Sequence, residues 1–277
     1  MNKTIQIYQS VITNEDYKEL DPDFIVNDWR NNPTPELREI AIFFDIFDSA
    51  RYRSADYVGV VSKKFNKKTK IKGKEFIEFI NTNPGYDVYF INPFPQNIYF
   101  SFNVWEHGEI CHPGICEATQ YLFDQAKVPI KIDQLERHNH DNLLYCNYWV
   151  GSAKFWENYI HFLRKLYSCI ENEMPAEKKK IFFDNTVHDG GYAPFFPFIF
   201  ERLFSTYLTL YPETKYLGYE HSDSQIEKAC LNDAERKIYQ SFGKLIDEMD
   251  SKNRNSNVLK KTTKGLSNLL PHIREVS

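Results

Sequence analysis

The sequence lacks the glycine-rich and nucleophile motifs on which several large enzyme classes depend. It contains no GxxxxGK[ST], GxGxxG or GxSxG segment, so P-loop, dinucleotide-binding and serine-hydrolase functions lose their usual support. It also has no excess of basic residues, because the formal net charge at pH 7 is -4. A broad nucleic-acid interface normally makes a domain strongly basic, and we therefore expect no nucleic-acid partner.

Cysteine is scarce, and continuous apolar segments are short. The five cysteines, an odd number, include no CxxC pair, which argues against a zinc knuckle or a dithiol redox motif and favours reduced thiols. No run approaches the ~18 uninterrupted apolar residues of a membrane span, and the first residues alternate apolar with polar positions where a signal peptide needs a continuous apolar core. We expect a cytoplasmic protein whose only membrane contact is peripheral.

The chain does contain apolar and aromatic material in the amount of an ordinary globular protein. Of its 277 residues, 42% are hydrophobic and 26% are charged, enough for one large core or two small domains. Aromatic residues make up 16%, mostly 22 Phe and 18 Tyr. Such a surplus lines sites that stack on sugar-like ligands, but it also fills cores, and we take the core as its main destination.

Strand and helix patterns alternate along most of the chain. Alternating or valine-rich segments predict strands over 4–12, 56–65, 86–94, 142–150 and 215–219. Helical spacing predicts helices over 34–53, 75–83, 113–128, 152–173 and 194–208. This order predicts an α/β fold in which a parallel or mixed sheet carries helices on its faces.

Local signals set several boundaries. Thr34 is expected to cap the first helix, with Pro35 at its first position, and Ser152 to cap the fourth. Loop or irregular structure is expected over 66–74, 95–114 and 174–194.

The C-terminal segment differs in composition from the rest. Residues 1–249 are expected to form one α/β domain, and residues 250–277 a polar, basic and amphipathic tail that is low in aromatics. Such a tail either packs loosely as a terminal helix or rests on a partner or on an anionic membrane surface, here the inner membrane.

A Glu-Arg pair interrupts an apolar helix. Glu201 and Arg202 lie within PFFPFIFERLFSTYL, which is otherwise apolar and aromatic. Burying ionised groups costs free energy unless a partner compensates for it. Glu201 therefore either faces a cleft and takes part in chemistry, or pairs with a basic side chain elsewhere in the fold.

The densest group of candidate site residues lies in NVWEHGEICHPG, within the stretch predicted to be irregular. Loops on a rigid scaffold often carry binding groups. The group comprises Trp105, Glu106, His107, Glu109 and His112. Its spacing is not that of HExxH metal sites. In the alternative interpretation, His112 caps the next helix and Glu109 meets the positive end of that helix.

Two further segments contain histidines. ERHNHDN, with His138 and His140, is interpreted as a solvated polar loop. In TVHDGG, the glycines allow the backbone to approach a ligand closely, with His188 and Asp189 projecting at the edge of the turn.

Basic residues end the second predicted strand. Ligands of open α/β sheets collect outside the carboxyl ends of strands, where Lys63, Lys64 and the INPFP turn would lie. Together with Arg51 and Arg53, these lysines either bind phosphate groups or form a solvated basic face.

Four segments follow one another along the chain: DYVGVVSKKF, YDVYFINPF, LLYCNYWVGSAKFWENYIHFLRKLY and PFIFERLFSTYL. In this order they resemble bacterial glycosyltransferase domains of capsule, lipopolysaccharide and exopolysaccharide gene clusters. The resemblance rests on a YVG strand, a YD strand, a strand leading into a helix with a Phe/Trp-Glu-x-Tyr pattern, and a closing ERLF helix. It spans roughly residues 55–220.

The resemblance implies a GT-A-like (Rossmann-like) mixed sheet flanked by helices, a nucleotide-sugar donor, and a saccharide or lipid-linked acceptor. Glycosyl transfer needs a carboxylate near the reacting centre and cations or a metal on the departing diphosphate. We expect Glu201 to be that carboxylate and place His188 and Asp189 with it in the catalytic set.

The metal requirement stays open at this point. GT-A enzymes usually hold their metal with an Asp-x-Asp at the end of a central strand, whereas this strand reads Asp87-Val88-Tyr89. Either Asp87 binds a magnesium or manganese ion alone, or Lys63, Lys64 or His188 neutralises the diphosphate without a metal.

The expected donor- and acceptor-binding residues come from all of these segments. They are Lys63, Lys64, Asp87, Asn92, Trp105, Glu106, His107, Glu109, His112, Asn147 and Arg202. Two other functions fit the same sequence: a metal-dependent hydrolase or lyase that uses the His/Glu cluster with His138, His140 and His188, and a noncatalytic carbohydrate-binding module whose aromatic rings stack on sugars.

Overall fold

A six-stranded mixed sheet forms the centre of the protein, as the alternation of strand and helix patterns predicted. The computed structural model describes residues 3–188 and 191–274. The strands are β1 (Ile5–Val11), β2 (Ile25–Asp28), β3 (Tyr57–Ser62), β4 (Val88–Phe90), β5 (Trp149–Ser152), β6 (Thr186–His188), β7 (Gly191–Ala193) and β8 (Tyr216–Gly218). Strands β6 and β7 form a separate hairpin.

The sheet has the order β2-β1-β3-β5-β4-β8. Only β5 runs against its neighbours, since it pairs antiparallel with both β3 and β4 while all other pairs are parallel. The carboxyl ends of β1, β3, β4 and β8 therefore lie at one edge of the sheet, together with the chain that enters β5. Because β1 has β2 on one side and β3 on the other, the connections diverge there, and this divergence opens a crevice in α/β sheets.

Eleven α-helices surround the sheet within the described residues. They are α1 (Glu39–Asp48), α2 (Phe65–Thr69), α3 (Gly73–Thr82), α4 (Val104–Cys111), α5 (Ile115–Gln125), α6 (Ala153–Ser168), α7 (Ala176–Phe183), α8 (Phe195–Leu210), α9 (Asp223–Ala229), α10 (Asp233–Asn253) and α11 (Asn257–Arg274).

The alternation of side chains along each strand produces two hydrophobic cores. On β1 and β3, Tyr8 and Val58 face the larger core, while their neighbours Ile7 and Tyr57 face the smaller one. Helices α2 and α3 cover the smaller core, and α1, α4, α5, α6 and α8 cover the larger one. The aromatic surplus mostly fills this larger core; Trp149, for example, stacks on Phe43 with ring centroids 5.1 Å apart.

The first predicted helix begins later than expected. Residues Pro35–Leu37 form a 3-10 turn, Arg38 has a φ of 53°, and α1 starts only at Glu39. The side chain of Thr34 makes no capping hydrogen bond. A left-handed residue cannot continue a right-handed helix, so the predicted helix over 34–53 was wrong at its start. The predicted cap at Ser152 is confirmed, because its side chain accepts the N–H of Phe155.

The segment 95–114, predicted to be irregular, contains a helix. Asn103 caps α4 by accepting the N–H groups of Trp105 and Glu106 at 3.1 and 3.0 Å. Gly108 obscured the helical pattern, but it is required by packing, because a Cβ at this position would lie 2.7 Å from Nε of Arg202.

Four other boundaries differ from the prediction. The basic stretch 66–74 begins inside the short helix α2, the stretch 174–194 contains α7 and the β6–β7 hairpin, and α5 begins at Ile115 rather than at Pro113. The predicted strand over 142–150 is a strand only from Trp149 onward.

The C-terminal segment packs on the fold. The predicted division before residue 250 falls within α10, where Asp250 forms an ion pair with the fully buried side chain of Arg137. Helix α11 buries Leu259, Thr263 and Leu266, so the expectation of loose packing was wrong. None of the helices in the described ranges is long and apolar enough to cross a bilayer.

Candidate functional site

A cavity of about 790 Å³ opens at the carboxyl edge of the sheet, beside the ends of β1 and β3. We call it the β1–β3 cavity. Its lining includes Ser10, Arg38, Glu39, Ser62, Lys63, Lys64, Lys68, Cys146, Asn185 and Pro194. This is the crevice that the topology creates where the connections of β1 diverge, and Lys63 and Lys64 lie there because β3 ends at Ser62.

Glu39 carries the most perturbed carboxylate of the cavity. Glu39 is exposed to solvent within the cavity. Partial desolvation by the cavity walls, together with the negative charge of Glu201, raises the pKa of Glu39 to about 7, while a hydrogen bond from Asn147 acts in the opposite direction. A carboxyl group that titrates near neutral pH inside a cavity suits general acid–base chemistry.

The two charged residues of the apolar helix α8, Glu201 and Arg202, have different roles. The Glu201 side chain is 21% exposed, accepts the backbone N–H of Cys146 at 2.8 Å, and lies 3.9 Å from the guanidinium of Arg202. Arg202 itself is only 2% exposed. It donates to the carbonyls of Val104 and Phe198 at 3.1 and 2.8 Å. Glu201 is thus beside the cavity-lining Cys146, whereas Arg202, expected to bind substrate, stabilises the packing of α4 and α8 in the core.

A strained turn before β5 connects the two carboxylates. Cys146 and Asn147 have φ values of 64° and 52°, a conformation that costs a non-glycine residue free energy and that often occurs at functional sites. In this conformation Cys146 donates to Glu201, and Nδ2 of Asn147 donates to Glu39 at 3.3 Å. The side chain of Asn147 is 2% exposed, and its Oδ1 has no hydrogen-bond partner among the described residues.

Positive charge surrounds the opening of the cavity. Lys68 donates to Sγ of Cys146 at 2.9 Å. Burial opposes its charge, but the neighbouring thiol and carboxylates outweigh burial and raise its pKa, so Lys68 is protonated. Lys63 forms an ion pair with the fully buried Asp16, whereas Lys64 is exposed. Lys64, Lys68 and Arg38 are therefore the cationic groups of the lining that are not committed to Asp16.

The cluster on α4, predicted from NVWEHGEICHPG, does not line the cavity. Trp105 is fully buried and donates to Thr206 at 2.9 Å. Glu106 accepts the N–H of Phe102, and His107 packs against Tyr145. Glu109 accepts N–H groups at the start of α5, which is the structural role considered for it.

His112 and His188 are both buried and contact each other. Their Nδ1 atoms are 3.0 Å apart, and His112 stacks on Phe198. Burial, with the charges of Arg202 and His188, lowers the pKa of His112 to about 3. His112 ends α4 rather than capping the next helix, and His188 does not project from its turn. Asp189 lies outside the described residues.

The remaining histidines do not complete a metal centre. The ERHNHDN segment was wrongly interpreted as a solvated loop, because Arg137 and His138 are fully buried and His138 contacts Thr209. His140 contacts Tyr99 in a second cavity. No group of three His, Cys, Asp or Glu side chains that could hold a metal occurs in the described part of the chain, so the five histidines are not assembled as the hydrolase or lyase hypothesis requires.

Two other predicted residues lie away from the β1–β3 cavity. Asp87 precedes β4 and accepts the N–H of Lys215, which places it at the opposite edge of the sheet. It therefore does not take the position of a metal-binding Asp-x-Asp at the carboxyl end of the strand. Asn92 closes the turn after β4 through hydrogen bonds with Phe94.

Sequence reasoning missed several members of the site. Glu39 and Arg38 were placed inside a continuous helix, and Lys68 and Cys146 were treated as part of a basic loop and a strand. No sequence signal indicated that the loop before β5 would bring Cys146 to Lys68, since 78 residues separate them.

Comparisons with known proteins give little support for assigning the chain to a protein family. No protein-family model matches the chain. No curated protein matches it either. Among solved structures, it is similar to one described as the WbbM bifunctional glycosyltransferase in its apo form, with a TM-score of 0.45 and 16% sequence identity over 78% of this chain and 44% of that chain. The chain thus spans less than half of the length of that protein, and at this TM-score the likeness does not establish a shared fold.

Proposed function

We propose that the chain is a glycosyltransferase that moves a sugar from a nucleotide-sugar donor to a saccharide or lipid-linked acceptor in bacterial surface polysaccharide synthesis. One observation carries this proposal: the β1–β3 cavity combines a carboxylate of neutral pKa with several cationic side chains at the carboxyl edge of the sheet. Glycosyl transfer needs both kinds of group, one for the acceptor hydroxyl and the other for the departing diphosphate.

In this proposal Glu39 is the general base. It removes the proton from the attacking hydroxyl of the acceptor as the bond from that oxygen to the anomeric carbon forms and the bond to the diphosphate breaks. A pKa of about 7 suits this task, because the group is partly ionised at neutral pH and still basic enough to accept a proton. Glu201 acts through Glu39, because its negative charge contributes to the high pKa of that carboxyl group.

Asn147 is the positioning residue. Its Nδ2 orients the Glu39 carboxylate, and its Oδ1 is directed to no other described residue.

The diphosphate is assigned to Lys64, Lys68 and Arg38. These three line the cavity and carry the charge that phosphate oxygens need. A metal ion would supply the same charge. Asp87, the residue expected to bind a metal in a glycosyltransferase of this kind, is at the far edge of the sheet.

A thermal-shift screen tests the proposal directly. UDP-, GDP-, CMP- and dTDP-sugars are added to the protein, and one class is expected to raise the melting temperature, since a ligand that binds only the folded state stabilises it. The shift should be reduced in Lys64→Met and retained in Lys244→Met, a change on the surface of α10. If no nucleotide sugar changes the melting temperature, the proposed donor class is wrong.

A further inference from the structure

A second cavity of about 840 Å³ lies at the same edge of the sheet, beyond the end of β8. We call it the β8 cavity. Its lining includes Tyr99, His140, Asp141, Tyr216, Tyr219, Glu220, His221, Asp223, Asp247, Ser251 and Arg254. Three strand spacings of ~4.8 Å separate β3 from β8 in the sheet, so this cavity is distinct from the β1–β3 cavity.

The floor of the β8 cavity is a network of polar groups built on the buried Tyr99. The hydroxyl of Tyr99 lies 3.0 Å from Nε2 of His140 and 3.5 Å from Oδ2 of Asp247, although Tyr99 is only 1% exposed. The side chains of His140 and Asp247 are 37% and 49% exposed, and partial desolvation by the surrounding protein lowers the pKa of His140 and raises that of Asp247. Such a network holds hydrogen-bond donors and acceptors in fixed positions at the surface of the cavity.

His221 adds an unused hydrogen-bonding atom. Its Nε2 is buried and finds no partner in the part of the chain that the structure describes. Burial, aided by the proximity of His140, lowers the pKa of His221 to about 4, so the ring is neutral at pH 7. A neutral imidazole can donate to or accept from a hydroxyl group, and a ligand hydroxyl would satisfy this atom.

One wall of the cavity presents aromatic rings in fixed positions. Tyr219 is held by a hydrogen bond from its hydroxyl to Glu75 at 2.5 Å, and its ring packs against Phe79 and His221. Tyr216 of β8 lines the same cavity and is half-buried. Rings that are held in this way present apolar faces with little loss of side-chain entropy on binding.

The charge of the lining excludes phosphorylated ligands. Asp141, Glu220, Asp223, Asp247 and Asp250 are the acidic residues of the lining, Asp250 being paired with Arg137, while Arg254 is the cationic side chain among the described lining residues. A nucleotide or sugar phosphate would meet repulsion from these carboxylates. Hydroxyl groups, in contrast, donate well to carboxylates.

We propose that the β8 cavity binds a hydroxyl-rich saccharide that carries no phosphate group. The neutral imidazoles and carboxylates make hydrogen bonds with its hydroxyl groups, and the rings of Tyr216 and Tyr219 pack against its apolar faces. That this saccharide is a part of the acceptor or product chain rests on the proposed function. The binding itself does not.

The test uses four tetrasaccharides and one sugar phosphate as probes: maltotetraose, cellotetraose, the N-acetylated glucosamine tetramer, its deacetylated counterpart, and glucose 1-phosphate. Binding to the full chain is measured by ligand-observed NMR and titration calorimetry. At least one tetrasaccharide should bind, and glucose 1-phosphate should not compete with it. The absence of binding by all four tetrasaccharides, or equal competition by glucose 1-phosphate, would overturn the proposal.

Single substitutions test whether the tetrasaccharide binds in the β8 cavity. Asp247→Asn should weaken the tetrasaccharide at least tenfold, and Asp23→Asn, an exposed change outside the lining, should leave its affinity unchanged. Ser251→Trp places a bulky ring in the cavity from the exposed surface of α10 and serves as a second probe if Asp247→Asn lowers the stability of the fold. Affinity that survives both changes places the saccharide elsewhere and contradicts the assignment.

The same variants separate this inference from the proposed function. Binding of a nucleotide sugar in the thermal-shift screen should be unaffected by Asp247→Asn, because the donor is assigned to the other cavity. If no nucleotide sugar binds, the proposed function fails. Tetrasaccharide binding at the β8 cavity is tested independently of that result.

Discussion

Nδ2 of Asn147 donates a hydrogen bond to the carboxylate of Glu39 across 3.3 Å, although 108 residues separate the two in sequence. The contact exists because the loop before β5 adopts left-handed backbone conformations at two successive residues. The preceding residue, Cys146, uses the same conformation to donate to Glu201. One short turn thus sets both the orientation of Glu39 and the position of the charge that perturbs it.

Glu39→Gln should abolish most of the transfer activity. The substitution keeps the shape of the side chain but removes the base, and loss of a general base typically costs about 10²–10⁴-fold in rate. The value of kcat for transfer measures the effect, with Glu78→Gln on the exposed side of α3 as the matched control. Unchanged activity in Glu39→Gln would remove this residue from the mechanism.

Glu201→Gln should lower kcat and shift its pH dependence. The rate of a base-catalysed reaction rises as pH passes upward through the pKa of the base, here about 7 for Glu39. The negative charge of Glu201 contributes to this high value, so its removal should move the acid limb of the kcat profile to lower pH. Glutamine can still accept the N–H of Cys146, which keeps the turn in place. A loss of rate without any shift would instead favour a direct catalytic role for Glu201, as the sequence suggested.

Asn147→Gly should shift the same limb in the opposite direction. Glycine adopts a φ of 52° without strain, so the change removes the side chain and spares the turn. The hydrogen bond from Asn147 lowers the pKa of Glu39, and its loss should raise that pKa and move the limb to higher pH. A shift to lower pH would contradict the assignment of Glu39 as the titrating group.

The sheet and its layers could be predicted from the sequence because their signals are local. Alternating side chains on β1 and β3 and the capped helix α6 reflect burial patterns within ten to twenty residues. The start of α1 could not be predicted, since Thr34, Pro35 and Glu36 form a good helix start, and only the φ of Arg38 reveals the break. Asn147, in the loop before β5, contacts Glu39 at the first position of α1, and no local pattern encodes that contact.

The candidate site was predictable only in part, for the same reason. Lys63 and Lys64 follow a recognisable strand, so the edge of the sheet where they lie was expected. Glu201 was predictable because its charge interrupts an apolar helix, and Asn147 was among the predicted binding residues. Glu39 and Lys68 could not be predicted as site residues, because they join the site through contacts with residues that are distant in the sequence. The apolar helix gave no indication that Arg202 would turn inward to meet the carbonyls of Val104 and Phe198.

Glu39 should also make stability depend on pH. Its pKa is about 7 in the folded protein and has an ordinary value of 4.5, so between these values the folded state holds a proton that the unfolded state has released. The stability that this bound proton gives to the folded state is fully present below pH 4.5 and is lost as pH rises through 7. The melting temperature of Glu39→Gln should therefore exceed that of the wild type by more at pH 8 than at pH 4. The difference for Glu78→Gln should be the same at both pH values, and an equal difference for Glu39→Gln would contradict the raised pKa.

Transfer should survive chelation of divalent metals better than it survives loss of the cationic side chains. Lys64 and Lys68 line the cavity assigned to the donor, and Asp87 lies at the opposite edge of the sheet. Positive side chains can neutralise a departing diphosphate without a metal. We expect EDTA to reduce kcat by less than tenfold and Lys68→Met to reduce it by tenfold or more, a loss of about 1.4 kcal/mol in transition-state stabilisation. Complete inactivation by EDTA that manganese restores would show that a metal carries this charge, and the ligands would then have to be sought among other residues of the cavity.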